Sequence, residues 1–305
     1  MPGTIRPYQT RRKLNIYPDI IIGQGTIILL ITVTLLFGLA IICLNHNPSL
    51  KHIWNDFDLD KKVPASFCEK TGINNPIRQP INTFSNIIYL IIAIIILKTS
   101  REERRSSSIQ NQFNANKTYN FIFGFILLYV FWASTFYHAS LTSLAHKFDY
   151  SAVFSFVLFP VMFFSHRWWL IWRNKPPHTQ KRGLTVGFIS TFLIANVVLT
   201  FLMPKGKESV AVLILILIFF GYAFITAIVE QDNPKLNYLI LSIVSVLLAL
   251  VGFEFDKYKV LCNPDSYFQP HSLWNVFIGI SAFYFFLYMR SEHKLAGLIY
   301  KDIIK

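Results

Sequence analysis

Eight runs of about twenty mostly apolar residues divide this chain, and each is long enough to cross the ~30 Å hydrocarbon core of a bilayer as a helix. They cover roughly 21–44, 81–98, 119–138, 149–172, 184–203, 210–229, 237–255 and 271–289, with segments rich in Pro, Asn, Lys and Arg between them. In lipid only helices or closed barrels satisfy every backbone N–H and C=O, and these runs lack the alternation of barrel strands. The expected fold is all-α, a polytopic membrane helical bundle. Composition agrees: 53% hydrophobic against 15% charged residues leaves too little polar surface to solvate a globular chain of 305 residues. The longest connection, 45–80, is too short and irregular to hold a core of its own. The first run follows about twenty polar residues and continues well beyond the 7–15 apolar residues of a signal peptide, with no small-x-small pattern closing it, so it reads as a true span. Leu39-Ala40-Ile41-Ile42-Cys43 matches a lipoprotein acylation site only loosely, because Ile42 is large where a small residue is needed.

A formal charge of +13 would point a soluble chain towards nucleic acid; here it is read through its distribution. With eight spans, the N-terminus, the 99–118, 173–183 and 230–236 loops and the C-terminus share one side and carry eighteen Lys and Arg. The other side carries ten, Arg167 inside a span being left out. Basic residues concentrate on cytoplasmic loops, so both termini are expected in the cytoplasm. The run Arg101-Glu102-Glu103-Arg104-Arg105 is expected to be a solvated cytoplasmic loop near anionic headgroups. No nucleotide loop, nucleic-acid motif or internal repeat is present, and nothing identifies a protein partner.

Three cysteines exclude a disulfide-dense scaffold and a four-thiolate zinc site. Cys68 and Cys262 both fall on the outer side, where oxidising conditions permit pairing; two unrelated buried thiols fit the spacing equally well. Cys43, at the end of the first span, is expected to be inert.

Polar groups at membrane depth are costly and mark interior sites. Ser134 and His138 lie four apart at the outer end of the third span, on one helical face. Asp149 follows after a short connection, at the same level. The last span opens at the same end with Pro270-His271-Ser272-Leu273-Trp274-Asn275, which puts His271 and Asn275 on one face behind a helix-starting proline. Two histidines, an aspartate and a serine at one depth are the ingredients of a catalytic zinc centre. There imidazoles bind the metal, a carboxylate such as Asp149 handles the proton of the attacking water, and Ser134 donates to the developing oxyanion. The competing reading makes each of them interhelical glue, contributing ~1 kcal/mol. Asn82, Ser85 and Asn86 of the second span are expected to knit helices together, and Glu254 with Asp256 reads either as supporting carboxylates or as interfacial.

The string Ser134-x3-His138-x10-Asp149, with a His-led motif opening the last span, resembles the CREST superfamily of seven-helix membrane hydrolases and receptors. Phe67-Cys68-Glu69, then Arg78-Gln79-Pro80-Ile81-Asn82-Thr83-Phe84-Ser85-Asn86, and Leu261-Cys262-Asn263-Pro264 leading into His271, are similar to signatures of the alkaline ceramidases within it. The resemblance covers residues 65–290 as a seven-helix domain. It leaves residues 1–64 as a cytoplasmic N-terminus, an extra helix and an outer loop, and 291–305 as a cytoplasmic tail.

This resemblance implies a zinc-dependent amidase that cleaves the N-acyl bond of ceramide or a related lipid. His138 and His271 would bind zinc, Asp149 would assist the attacking water, Ser134 would stabilise the transition state, and Cys68 and Cys262 would form a disulfide. Two departures matter. The second histidine of the family's His-x3-His is Asn275 here, a weak neutral ligand. His146 is a substitute in type, but as a loop residue it is expected to be solvated. The implied calcium site keeps only Glu69 of its charged ligands, too little negative charge for tight Ca2+ binding. Asn275 and the similarity of Asp149-Tyr150-Ser151 to the receptor branch leave open a lipid-binding, non-catalytic member, and other branches suggest an ester hydrolase.

Overall fold

The structure, a computed structural model, describes residues 23–60, 67–103, 117–172, 182–204, 207–229 and 236–291. Among them the helices are α1 (Gln24–His46), α2 (Pro80–Ser85), α3 (Ile87–Glu103), α4 (Lys117–Ser140), α5 (Ser143–Trp172), α6 (Arg182–Leu202), α7 (Glu208–Val229), α8 (Leu236–Lys257) and α9 (Pro270–Ser291). The only extended pairing described is an isolated bridge between Leu59 and Thr142. Seven helices, with α2 and α3 counted as one span over Pro80–Arg101, are long and apolar enough to cross a membrane, and α6 carries a shorter apolar stretch, Val186–Leu202. The chain is a multi-pass membrane helical bundle.

Contacts between helix ends fix the direction of each helix. Lys98 bonds to Thr26, joining the end of α3 to the start of α1, and Asn45 accepts from the Ile77 amide at 2.8 Å at the opposite face. Ser209 hydrogen-bonds to Tyr150, so α7 starts beside the start of α5. Trp168 donates to Thr226 at 3.1 Å at the far ends of the same two helices. Because α6 precedes α7 by a short turn, it must run antiparallel to α5 and traverse the bundle; Asn196 of α6 donates to the Ser151 carbonyl at 2.7 Å. The start of α1 and the end of α9 therefore lie at one face, and the starts of α2, α5 and α9 with the end of α4 lie at the other. We call this second face the outer one.

Aromatic rings fill the centre: Phe123, Phe159, Phe163, Phe164 and Phe286 are fully buried. Between helices in lipid, association depends on close packing and hydrogen bonds, since lipid tails are as apolar as the side chains. The α8–α9 pair uses both devices. Ser242 and Ser281 hydroxyls pair at 2.8 Å, and a Cβ on Gly252 would stand 3.0 Å from the Pro270 carbonyl oxygen. The α1 helix is different, for Ile28, Leu35, Leu36 and Ile42 are all exposed, an apolar surface suited to lipid.

Two boundaries depart from expectation. The second span breaks at Asn86 into α2 and α3. Helix α5 starts at Ser143, six residues before the apolar run, because the Thr142 hydroxyl accepts the Ala145 amide at 3.3 Å as an N-cap. His146 is thus a helical residue rather than a solvated loop histidine. Its Nδ1 lies 2.5 Å from Asp60 Oδ2, and its ring stacks on Tyr137 at 4.6 Å.

Candidate active site

Local capping at the outer face decides where the polar side chains stand. The last carbonyls of α4 have no partner within the helix. The Arg78 amide takes Ala139 O at 3.0 Å and the Gln79 amide takes His138 O at 3.1 Å. The Arg78 guanidinium adds a 2.5 Å bond to Ser140 O, a cation at the negative end of the helix dipole. Pro80 then opens α2, and the two amides that follow it donate to one carboxylate: Ile81 to Glu69 Oε1 at 2.7 Å and Asn82 to Oε2 at 2.8 Å. Glu69, the residue of the calcium expectation, is thus the anchor of α2. Burial pushes its pKa from 4.5 up to about 7 against the pull of those two donors.

These anchors bring the two histidines together. His138 and His271 have ring centroids 4.8 Å apart, and Phe67 stands edge-on to both, 5.2 Å and 4.7 Å away. Each Nδ1 faces an oxygen. His138 Nδ1 is 2.8 Å from Gln79 Oε1, and His271 Nδ1 is 3.5 Å from Asp256 Oδ2. The other oxygen of Asp256 accepts the Cys68 amide at 2.7 Å, and Cys68 is joined to Cys262 by a disulfide. Asp256 therefore links the outer segment to the last helix, whereas Glu254 pairs with Lys257 at 3.5 Å on the surface. Asp149 hydrogen-bonds to Ser134 and lies within the electrostatic reach of His271 and His146. The Ser134–His138–Asp149–His271 set converges, drawn from α4, α5 and α9.

Does this set suit zinc? An outer oxygen on Nδ1 fixes an imidazole and leaves Nε2 for a metal, the usual support of a zinc-binding histidine. His138 has it at 2.8 Å, whereas His271 Nδ1 stands 3.5 Å from Asp256 Oδ2 and makes no hydrogen bond. The third position falls short. The Asn275 amide donates to Ser85 Oγ at 2.8 Å while its oxygen accepts from the Tyr89 hydroxyl at 3.4 Å. His146 is held by Asp60. Among the described residues no group of three or more His, Cys, Asp or Glu is placed to hold a metal. The donor set thus fits zinc at two ligands and leaves the third to Asn275 or to a non-protein ligand.

Below the site lies a small apolar cavity of about 50 Å³, partly open to the surroundings. Its wall includes Tyr89 and Trp274 near the histidines, and Phe219, Phe285, Ser242 and Ser281 farther along the bundle. Gln79, Tyr89 and Asp60 were not singled out as site residues from the sequence. Gln79 lies inside the quoted signature and Tyr89 one turn beyond it; Asp60 carries no sequence signal that marks it. Comparison with known protein families, with curated proteins and with solved structures finds no match to this chain.

Proposed function

We propose that the protein is an intramembrane hydrolase that uses zinc to cleave the N-acyl amide bond of ceramide or a related lipid. The observation that carries this reading is the convergence of His138, His271, Asp149 and Ser134 at one end of an apolar cavity inside the bundle. A tail in the cavity would bring the polar end of a lipid to the two histidines. His138 and His271 would hold the metal through Nε2, with Gln79 bonded to the His138 ring from behind and the Asp256 carboxylate facing His271 at 3.5 Å. When bound, zinc supplies Lewis acidity, polarising an acyl carbonyl and making water acidic enough to react near neutral pH.

The chain's own groups do the rest. Asp149 takes the proton of the attacking water and returns it to the departing amine nitrogen, so the proton count balances within the site. Ser134, bonded to Asp149, orients that carboxylate and would donate to the oxyanion once substrate displaces this bond. Phe67 covers both imidazoles and keeps bulk water from them.

The test is metal content and amide cleavage on the purified protein in lipid nanodiscs. Stoichiometric zinc is expected, and Asp149→Asn should lower cleavage about 10²–10⁴-fold with the metal retained. A protein without stoichiometric zinc sinks the hydrolase reading. The second reading, a lipid-binding member without turnover, is favoured by the hydrogen bonds that already occupy both ends of the Asn275 amide. It predicts saturable binding of N-acyl lipid with no amide or ester cleavage.

A further inference from the structure

Along and beside helix α2 stands a row of neutral polar side chains, of which the proposed chemistry uses only Gln79. Gln79, Asn82, Thr83 and Asn86 are spaced three or four apart, which places them on one helical face. All four are fully buried, and α2 is wedged between α4 and α9, the helices that carry the two histidines. Five of their side-chain atoms have no hydrogen-bond partner among the described residues: Gln79 Nε2, Asn82 Oδ1, Thr83 Oγ1 and both Nδ2 and Oδ1 of Asn86. For Asn86 the choice of amide orientation is immaterial, since neither end is engaged. Of Asn82, Ser85 and Asn86, expected from the sequence to knit helices together, Ser85 does so by accepting the Asn275 amide. The large majority of buried side-chain polar atoms in folded proteins are paired, so five unpaired on one face point to a ligand that pairs them.

We infer that this face is the subsite for the polar head of an N-acyl amino-alcohol lipid, the portion carrying the amide and its neighbouring hydroxyls. The inference rests on the hydrolase reading and deepens it by naming what the site reads beside the scissile bond. Its chemistry follows from the side chains. None of the four is ionisable, so a phosphate, a carboxylate or a metal ion gains no charge partner from them. Amide N–H groups, carbonyl oxygens and a hydroxyl together match a neutral group that both donates and accepts. Position supports the same assignment. At one end of the row Gln79 touches His138. At the other, the Asn86 carbonyl accepts the amide of Tyr89, whose ring borders the apolar cavity. A lipid with its tail in the cavity would lay its head along this row and reach the histidines.

The experiment measures binding, not turnover. Full-length protein carrying Asp149→Asn, in nanodiscs, is titrated with a short-chain N-acyl amino alcohol and separately with the matching free fatty acid. Thr83→Val, nearly isosteric, and Asn86→Leu are each expected to weaken the N-acyl amino alcohol by about tenfold or more while leaving the fatty acid unchanged. Melting temperature should hold or rise, because an apolar group replaces an unpaired polar one. Equal loss of both ligands, or no loss of either, overturns the subsite and leaves the row as interhelical or water-binding structure. Head-selective binding without cleavage in the wild-type protein would sink the hydrolase and keep the subsite. Cleavage by the wild-type protein, with the binding selectivity unaltered in both variants, would do the reverse.

Discussion

Asn275 stands where the proposed zinc site would need its third ligand. Its amide bridges Ser85 and Tyr89, so a histidine there would exchange two hydrogen bonds for an imidazole one helical turn beyond His271. Asn275→His should raise zinc affinity about 10-fold or more, read by competition with a chromogenic chelator. Unchanged affinity would mean that position 275 does not face the metal. Glu69 supports a second prediction. Its folded pKa of about 7 lies above the ordinary 4.5, so the folded chain holds this proton more tightly than the unfolded chain does. The associated stability is fully present below 4.5 and declines as pH rises to about 7. Melting temperature should therefore fall across that window in the wild-type protein and change less in Glu69→Gln; parallel curves would contradict the assignment. Residue types and helical spacing were enough to put Ser134, His138, Asp149 and His271 at one depth; that they approach one another depends on how α4, α5 and α9 pack. The partners Gln79 and Asp256 could not be chosen that way, since their roles depend on capping contacts made across 59 and 15 residues of chain.

At the scale of elements, the α8–α9 pair depends on a close approach that leaves no room for a side chain at Gly252. The nearest obstacles are the Pro270 carbonyl at 3.0 Å and Leu273 Cβ at 3.1 Å, neither of which can swing aside. Gly252→Val should destabilise the folded protein by about 1–3 kcal/mol, measured as a lowered melting temperature in detergent. Gly187, in α6, has nothing within 4 Å of its would-be Cβ, and Gly187→Ala should hold or raise the same temperature. Element existence was readable from apolar run length. The break at Asn86 and the early start of α5 were not, for they depend on Glu69 anchoring a six-residue helix and on Thr142 capping the next. Reading α5 as starting late is also what made His146 look solvated.

For the whole molecule, the uneven basic residues predict which face meets the cytoplasm, and the helix directions make that prediction testable with two probes. Asn47 is exposed beyond the outer end of α1, and Gly183 is exposed at the opposite end, at the start of α6. In a Cys43→Ser background, Asn47→Cys should react with a membrane-impermeant maleimide on intact cells, and Gly183→Cys only after permeabilisation. The reverse pattern would invert the molecule and put the histidines on the cytoplasmic side. The bridge between Cys68 and Cys262 closes across 194 residues, and Asp256 connects it to His271. During synthesis the early half of this arrangement waits in the membrane for its counterpart. Helices α2 to α5 emerge from the ribosome with His138 and Asp149 already in hand, yet His138 cannot meet His271 until the final helix has been inserted. The polar cluster is thus among the last parts of the bundle to close, and a chain stopped before α9 leaves His138 without its neighbour.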